Sequence, residues 1–486
     1  MLLGDIKART DDETWGQKTL HKSEITSRER GSGPRPRSRQ HKIKLMLFLV
    51  SLAFSTVALI SFDYSYTAAI QRHSKSTLKL TFCGVRDPVR YYALRPRCTC
   101  IRPWGEDLFE FVTNNLGFRD ESIRDVPLAD SRPRILLLGD SFTEGQLPWR
   151  YSYVGRIAAH FPQYDFLNGG IGSYSPSNYL NVARMVLAAR VEIDEVVVFL
   201  DTADAADEAA TFRDVDASGA VAGPVRQHWK KSWYARCRFL ITKHLLLAND
   251  IIGFFERQLV GHGYYHLTMT SLAANVFDAE QAAWTYRKVN ETDPYPSGYA
   301  PLGLEAGIAK EKAKMTLLWQ ELERRNIPIS VVVYPYPGQV VHDTADSKQV
   351  QIWRHWCEGK CKRFISLFPA FLGVKDQCPR MRPGCWYLSH FVFGDFHYNP
   401  TGNALVADAV IKSLDEDPPD KLQQHVSSTA RQAEIQPCHP SSRRAPQHGD
   451  SSQNSPVIKR NCSAAKMIAL RCYICSIFYK TSIPFY

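Results

Sequence analysis

The chain has 486 residues, 44% of them hydrophobic and 22% charged, with a formal net charge of +11. That length suits two or three domains, and that balance excludes a wholly disordered or fibrous chain. The charge would fit a nucleic-acid partner, but much of it is gathered in one run (Arg28, Arg30, Arg35, Arg37, Arg39, Lys42 and Lys44 against Glu29 alone), so no nucleic-acid partner is expected.

Residues 1–44, which contain GSGPRPRSRQ, read as a basic, disordered cytoplasmic tail. The run LMLFLVSLAFSTVALISF at 45–62 carries no charge. As a helix it reaches roughly 27 Å, close to the thickness of the hydrocarbon layer. A cleaved signal peptide is the rival reading. The long basic flank and the lack of a small-x-small cleavage site favour a transmembrane signal anchor. Basic residues stay on the cytoplasmic side, so everything after Phe62 is expected on the extracytoplasmic (periplasmic) side of the cell membrane. The membrane, met through one helix, is therefore an expected partner.

Cysteine use fits that compartment. Cys83, Cys98 and Cys100 form one group, and Cys357, Cys361, Cys378 and Cys385 another. Their spacings do not match two C-x-x-C zinc pairs, and disulfides are the expected use. No metal and no cofactor is expected.

Residues 63–131 read as a mixed juxtamembrane region, with a turn at Asn114, Asn115 and Gly117. The main domain is expected over 132–414. Its first strand is Arg134–Leu138, too short an apolar run for a helix and suited to burial on both faces. Tyr151–Phe161 has helical spacing, Tyr164–Leu167 is a short second strand, and Ser177–Arg190 is a helix with one apolar side. Glu195–Leu200 is a third strand with the β-branched run of a central position. Residues 205–300 break the rhythm and read as an insertion or lid, holding an amphipathic helix over 236–259. The charged helix Glu305–Arg325 leads to a fourth strand, Ile327–Tyr334, ended by Pro335 and Pro337. Arg363–Leu367 is a candidate fifth strand, and Pro400–Leu414 the closing helix, capped by Asn399. The alternation predicts an α/β fold with a parallel sheet between two helical layers. From 415 to 486 the composition again reads as a disordered tail.

The chemistry centres on GDSFTEG at 139–145. Gly139 allows a sharp turn after the first strand and puts Asp140 and Ser141 at its carboxyl end, where open α/β sheets bind ligands. Thr143 replaces the second glycine of a G-x-S-x-G elbow, so this is a different turn. A serine hydroxyl needs a base, and that base needs an orienting group. His397 and Asp395, in GDFHYNPTGN, supply the pair at the far end of the chain. Acyl transfer also needs donors aimed at the developing oxyanion. The Ser141 N–H and Gly172, in NGGIGSYSPSNYL, are the candidates.

With those residues in place, the chain resembles the SGNH/GDSL hydrolase superfamily. The shared features are GDS at 139–141, the glycine turn NGGIGS and the aspartate–histidine pair near residue 397. The resemblance implies a three-layer α/β/α sandwich (flavodoxin-like), Ser141 as nucleophile, His397 as base and Gly172 as oxyanion donor. The family usually has G-x-N-D after the third strand; here DTAD puts Ala203 in place of the asparagine and Asp204 in place of the aspartate. The D-x-H spacing of Asp395 and His397, with the upstream NNLGFRD, looks most like the membrane-associated alginate O-acetylation proteins of the bacterial envelope. That likeness implies an acyl-ester or carbohydrate substrate and envelope polysaccharide-modification proteins as partners. The expectation is a membrane-anchored esterase or O-acetyltransferase. Its rival is an inactive module that binds envelope glycan.

Overall fold

The computed structural model describes residues 37–77, 83–104, 107–215, 219–223, 241, 244–265, 276–277, 280–287 and 297–419. By compactness the chain divides into two units, 1–59 and 60–486.

The first helix, α1, runs over Arg37–Thr77. Helix therefore begins inside the segment expected to be disordered, since Arg, Gln and Lys propagate a helix as well as leucine does, and it also extends past Phe62. The stretch His41–Ala69 is long and apolar enough to cross a membrane. Residues 1–36, the rest of the expected cytoplasmic tail, lie outside the described residues.

In the second unit a hairpin pairs β1, Gly84–Asp87, with β2, Tyr91–Leu94. Next come β3, Thr99–Trp104, β4, Asp107–Thr113, and β5, Arg119–Asp120. The α/β alternation follows: β6, Arg134–Leu138; α2, Ser141–Glu144; α3, Tyr153–His160; β7, Asp165–Asn168; α4, Pro176–Ala188; β8, Glu195–Leu200. After them lie α5, Leu246–Gly261; α6, Leu304–Glu323; β9, Ile329–Val333; α7, Lys348–Cys357; β10, Cys361–Ser366; α8, Cys385–His390; and α9, Pro400–Glu416.

One eight-stranded sheet organises the unit, in the order β10-β9-β8-β6-β7-β5-β4-β3. Its five parallel strands, taken in chain order, lie 2-1-3-4-5, the doubly wound arrangement whose ligands sit at the carboxyl strand ends. The two faces build separate cores because strand side chains alternate. Leu136, Leu138, Val196, Val198 and Leu200 face α4, α6 and α7 through Val182, Leu318 and Trp353. Ile135, Leu137, Val197 and Phe199 face α3, α8 and α9 through Ile157, Tyr387 and Val410. The result is a mixed α/β protein with helices on both faces of a mostly parallel sheet.

Two boundaries need correction. The domain does not start near Arg132, because β3, β4 and β5 add three antiparallel strands to the edge of the same sheet through Arg119 opposite Asn168. Nor do the described pieces of 205–300 stand apart as a lid. Val276 and Phe277 are buried in the second core, and Trp284 packs with Ala205 and Tyr299. The expected helix 236–259 is seen as α5; much of its amino-terminal third lies outside the described residues.

Disulfides join Cys83–Cys98, Cys357–Cys361 and Cys378–Cys385, and Cys100 is a buried free thiol. The remaining cysteines, Cys237, Cys438, Cys462, Cys472 and Cys475, lie outside the described residues.

The carboxyl-terminal boundary also moves. Arg363, ion-paired with buried Glu195, donates to the Asp417 carbonyl oxygen, and Lys362 Nζ donates to that of Pro418 at 3.0 Å. A chain ended after Leu414 loses both partners and is expected to lose about 1–3 kcal/mol of stability. A chain ended after Pro419 is expected to match the full chain in thermal melts and in ester turnover. Residues 420–486 lie outside the described residues.

Candidate active site

The site is built at the carboxyl end of β6. Gly139 is required there, since a Cβ would stand 1.9 Å from Thr143 Oγ1. The turn it permits leads straight into α2, whose N-cap is Asp140: Oδ1 accepts the Phe142 N–H at 2.9 Å. Ser141 is thus the first residue of a short helix anchored on a buried strand, and its side chain is half-buried.

His397 comes from the loop between α8 and α9. Asn399 caps α9 by accepting from Thr401 N–H and Gly402 N–H. Buried Tyr387 fixes the other side of the loop, its hydroxyl accepting the Gly394 N–H at 2.9 Å and the Asp395 N–H at 3.1 Å. These two supports bring the imidazole to the serine across 256 positions of sequence: Ser141 Oγ lies 2.7 Å from His397 Nε2. On the other side, His397 Nδ1 lies 2.6 Å from Asp395 Oδ1. The carboxylate accepts the Nδ1 proton, leaving Nε2 to accept from the serine hydroxyl. The imidazole packs against the rings of Phe142 and Phe396, whose centroids are 4.5 and 4.4 Å from its own and which also touch each other. The structure thus brings Ser141, His397 and Asp395 into one chain of hydrogen bonds.

Gly172 lies beside the serine. A methyl group added to it would be 3.7 Å from Ser141 Cβ, 3.4 Å from Glu144 Oε2 and 3.8 Å from Gln146 Nε2. Its carbonyl oxygen accepts from the Tyr92 hydroxyl, which holds that peptide in place. Neither the Ser141 N–H nor the Gly172 N–H has a protein acceptor among the described residues. Ala203 packs its methyl on the second core and offers no side-chain donor.

The two further aspartates have different surroundings. Asp140 touches the serine, its Oδ2 being 3.3 Å from Ser141 Oγ, and its Oδ1 accepts from the Tyr334 hydroxyl at 3.0 Å. Asp204 does not join the triad. Its oxygens accept from the Tyr179 hydroxyl at 2.9 Å and the Asp201 N–H at 3.0 Å, so it locks the turn after β8.

Burial, reinforced by the adjacent Asp201 carboxyl, pushes Asp140 up to about 8. Asp201, also buried but bonded by the Tyr336 hydroxyl, rises to about 6. An unfolded aspartate ionises near 3.9. The folded state therefore holds protons that the unfolded state has released, and stability falls as pH rises from about 4 to about 8. Asp140→Asn keeps the helix cap and removes one of these protons. Thermal melts across this range are expected to show a flatter decline of Tm for the variant than for the wild type.

Three polar groups around Gly172 were not among the residues expected from the sequence. Glu144 is buried and accepts from Gln146 Nε2 at 2.8 Å and from Arg102 Nη1 at 2.9 Å. Arg102 reaches in from β3 with its guanidinium 3.6 Å above the Phe111 ring. The polar residues of TEGQ, so close after the serine, are a local signal for Glu144 and Gln146. Arg102 has none, because its part depends on β3 joining the sheet.

No family model matches the chain, and no curated protein matches it. Among solved structures it is similar to a gut microbial diltiazem-metabolizing enzyme at 10% identity and a TM-score of 0.31, over 58% of this chain and 46% of that one. A protein of Lactobacillus plantarum aligns at 12% identity and a TM-score of 0.30, over 60% of this chain and 99% of that one. The SGNH-hydrolase family esterase AlinE4 aligns at 13% identity and a TM-score of 0.26, over 64% of this chain and 100% of that one. The chain thus spans about half the length of the first of these.

Proposed function

We propose that the chain is a serine-dependent acyl-ester enzyme, anchored in the membrane through α1. In this reading it hydrolyses or transfers a small acyl group, such as acetyl, on a carbohydrate outside the cytoplasm. The observation that supports it is the hydrogen-bonded line Ser141–His397–Asp395, with contacts of 2.7 and 2.6 Å.

Ser141 Oγ attacks the acyl carbonyl while its proton passes to His397 Nε2, and Asp395 stabilises the imidazolium. The oxyanion formed takes hydrogen bonds from the N–H groups of Ser141 and Gly172. Collapse expels the alcohol, which leaves with the proton from Nε2. Water then resolves the acyl-enzyme in a hydrolase; a sugar hydroxyl does so in a transferase.

Gly172→Ala retains the N–H but sets a methyl group in the space the oxyanion needs. Every contact of that methyl is at least 3.4 Å, so folding is spared. Its kcat/KM on an activated acetyl ester is expected to fall by about 10²-fold.

The test of the reading is labelling of the full chain by a fluorophosphonate, followed by turnover of p-nitrophenyl acetate with and without oligosaccharide acceptors. Labelling with release of free acetate supports the hydrolase, and acetylated oligosaccharide in the product supports the transferase. Reporter fusions after residue 130 test the side of the membrane; activity in the cytoplasm overturns the topology. Ala203 favours a second reading, a glycan-binding module with no turnover, which gains if no labelling occurs under any condition.

A further inference from the structure

Helix α5, Leu246–Gly261, starts without a local cap, because Leu245 precedes it and supplies no side-chain acceptor. The first N–H groups of a helix need partners from elsewhere. Here they come from α1. Asp63 accepts the Leu247 N–H at 3.0 Å and the Ala248 N–H at 2.9 Å, and Thr67 Oγ1 accepts the Leu246 N–H at 2.9 Å. Both acceptors are buried by this contact, and Thr67 also donates to Asp63. A carboxylate at a helix N-terminus is favoured by the helix dipole as well. Asp63 follows the apolar run 45–62 directly. The amino end of α5 is therefore fixed to the point of α1 where the uncharged run 45–62 ends.

The outer face of α5 is apolar. Leu247, Ile251, Phe254 and Phe255 recur at the spacing of one helical stripe, and the last three are 58–61% exposed. The opposite face is buried: Asn249, Glu256 and Val260 turn inward, and the Gly384 N–H donates to the Gly261 carbonyl oxygen at 3.1 Å. A soluble helix seldom leaves two phenylalanines and an isoleucine together in water.

We propose that α5 is an interfacial membrane helix, its Leu247–Ile251–Phe254–Phe255 face lying in the headgroup and acyl-chain boundary beside the exit of the span. The proposal rests on the membrane anchoring stated above. A helix of this kind buries an apolar face at the boundary and keeps its polar face outside the bilayer. The tie through Asp63 and Thr67 selects lipid as the occupant, since it holds the stripe at the level where the apolar run ends. The same helix packs on α8, whose Tyr387 holds the Asp395 backbone, so the membrane-facing element also supports the catalytic loop.

The test places a benzophenone amino acid at Phe254, at Val57 in the span, or at exposed Leu128, in the full chain reconstituted into phosphatidylcholine vesicles. Irradiation is expected to give lipid adducts at Val57 and Phe254, on the order of tenfold above Leu128. Adducts at Val57 without adducts at Phe254 overturn this inference and leave the anchor standing. Adducts at neither position overturn the anchor, and the inference with it. A protein adduct at Phe254 in place of lipid overturns the lipid assignment in favour of a second copy. Labelling at Phe255 repeats the test if the Phe254 variant fails to fold.

Discussion

Ser141→Ala is expected to abolish fluorophosphonate labelling and to lower turnover of an activated acetyl ester by about 10⁶-fold. The hydroxyl is the only group in the hydrogen-bonded line that can become an acyl ester and still be regenerated, because His397 holds the proton that Ser141 gives up. Losing it leaves the two backbone donors and the binding surface, which supply only the residual part of the rate. The fold should hardly register the change. Ser141 is half-buried, and α2 depends on the Asp140 carboxyl for its cap rather than on the serine. A substitution of this sort stays within about 0.5 kcal/mol of the wild type. Matched melts and turnover on purified chains decide the matter. A variant that melts normally and keeps wild-type turnover ends the enzyme reading.

Much of this arrangement is legible in the sequence, for physical reasons that also explain what is not. Strands β6 and β8 have the expected bounds, because a strand buried on both faces is apolar along nearly its whole length, and their buried first residues, Arg134 and Glu195, are ion-paired with Asp165 and Arg363. Asn399 is legible as a cap because its side chain can reach the first turn only from that position. Strands β3 and β4 are harder. Phe109 and Phe111 are buried with exposed Glu110 between them, which is a strand period, but nothing local says which sheet that strand joins. Pro103 lies in β3, which is tolerable because β3 is the edge of the sheet. The misplaced domain start follows from that gap, and so does the missed part of Arg102. Asp204 illustrates the opposite error. Its position matches a family motif, yet Tyr179 and the Asp201 backbone occupy its oxygens. Cysteine clustering signals disulfides, but pairing depends on the distances between Cα atoms, 5.7, 4.8 and 5.7 Å in the three bridges.

Asp395→Asn tests the relay without removing any of its volume. In the wild type the carboxylate accepts from both His397 Nδ1, at 2.6 Å, and the His397 backbone N–H, at 3.1 Å. Both bonds end on Oδ1. An asparagine that puts its carbonyl oxygen there keeps both, but as a neutral acceptor, so the positive charge that develops on the ring during attack loses its counter-charge. An asparagine that puts its amide group there donates to Nδ1 and forces the ring proton onto Nε2. That tautomer offers Ser141 a donor where it needs an acceptor, so the serine keeps its proton. In a serine protease the same exchange costs about 10⁴ in kcat, and a loss of that order is expected here. The loop itself should hold, since Tyr387 binds the Gly394 and Asp395 backbone rather than the carboxylate. His397→Ala removes the base outright, and adding Asp395→Asn to it should lower turnover no further, because groups that act as one unit fail together. Turnover of the two single variants and the double variant is the measurement. Losses that multiply in the double variant would mean that Asp395 acts independently of the imidazole, and the assignment of the relay would fall.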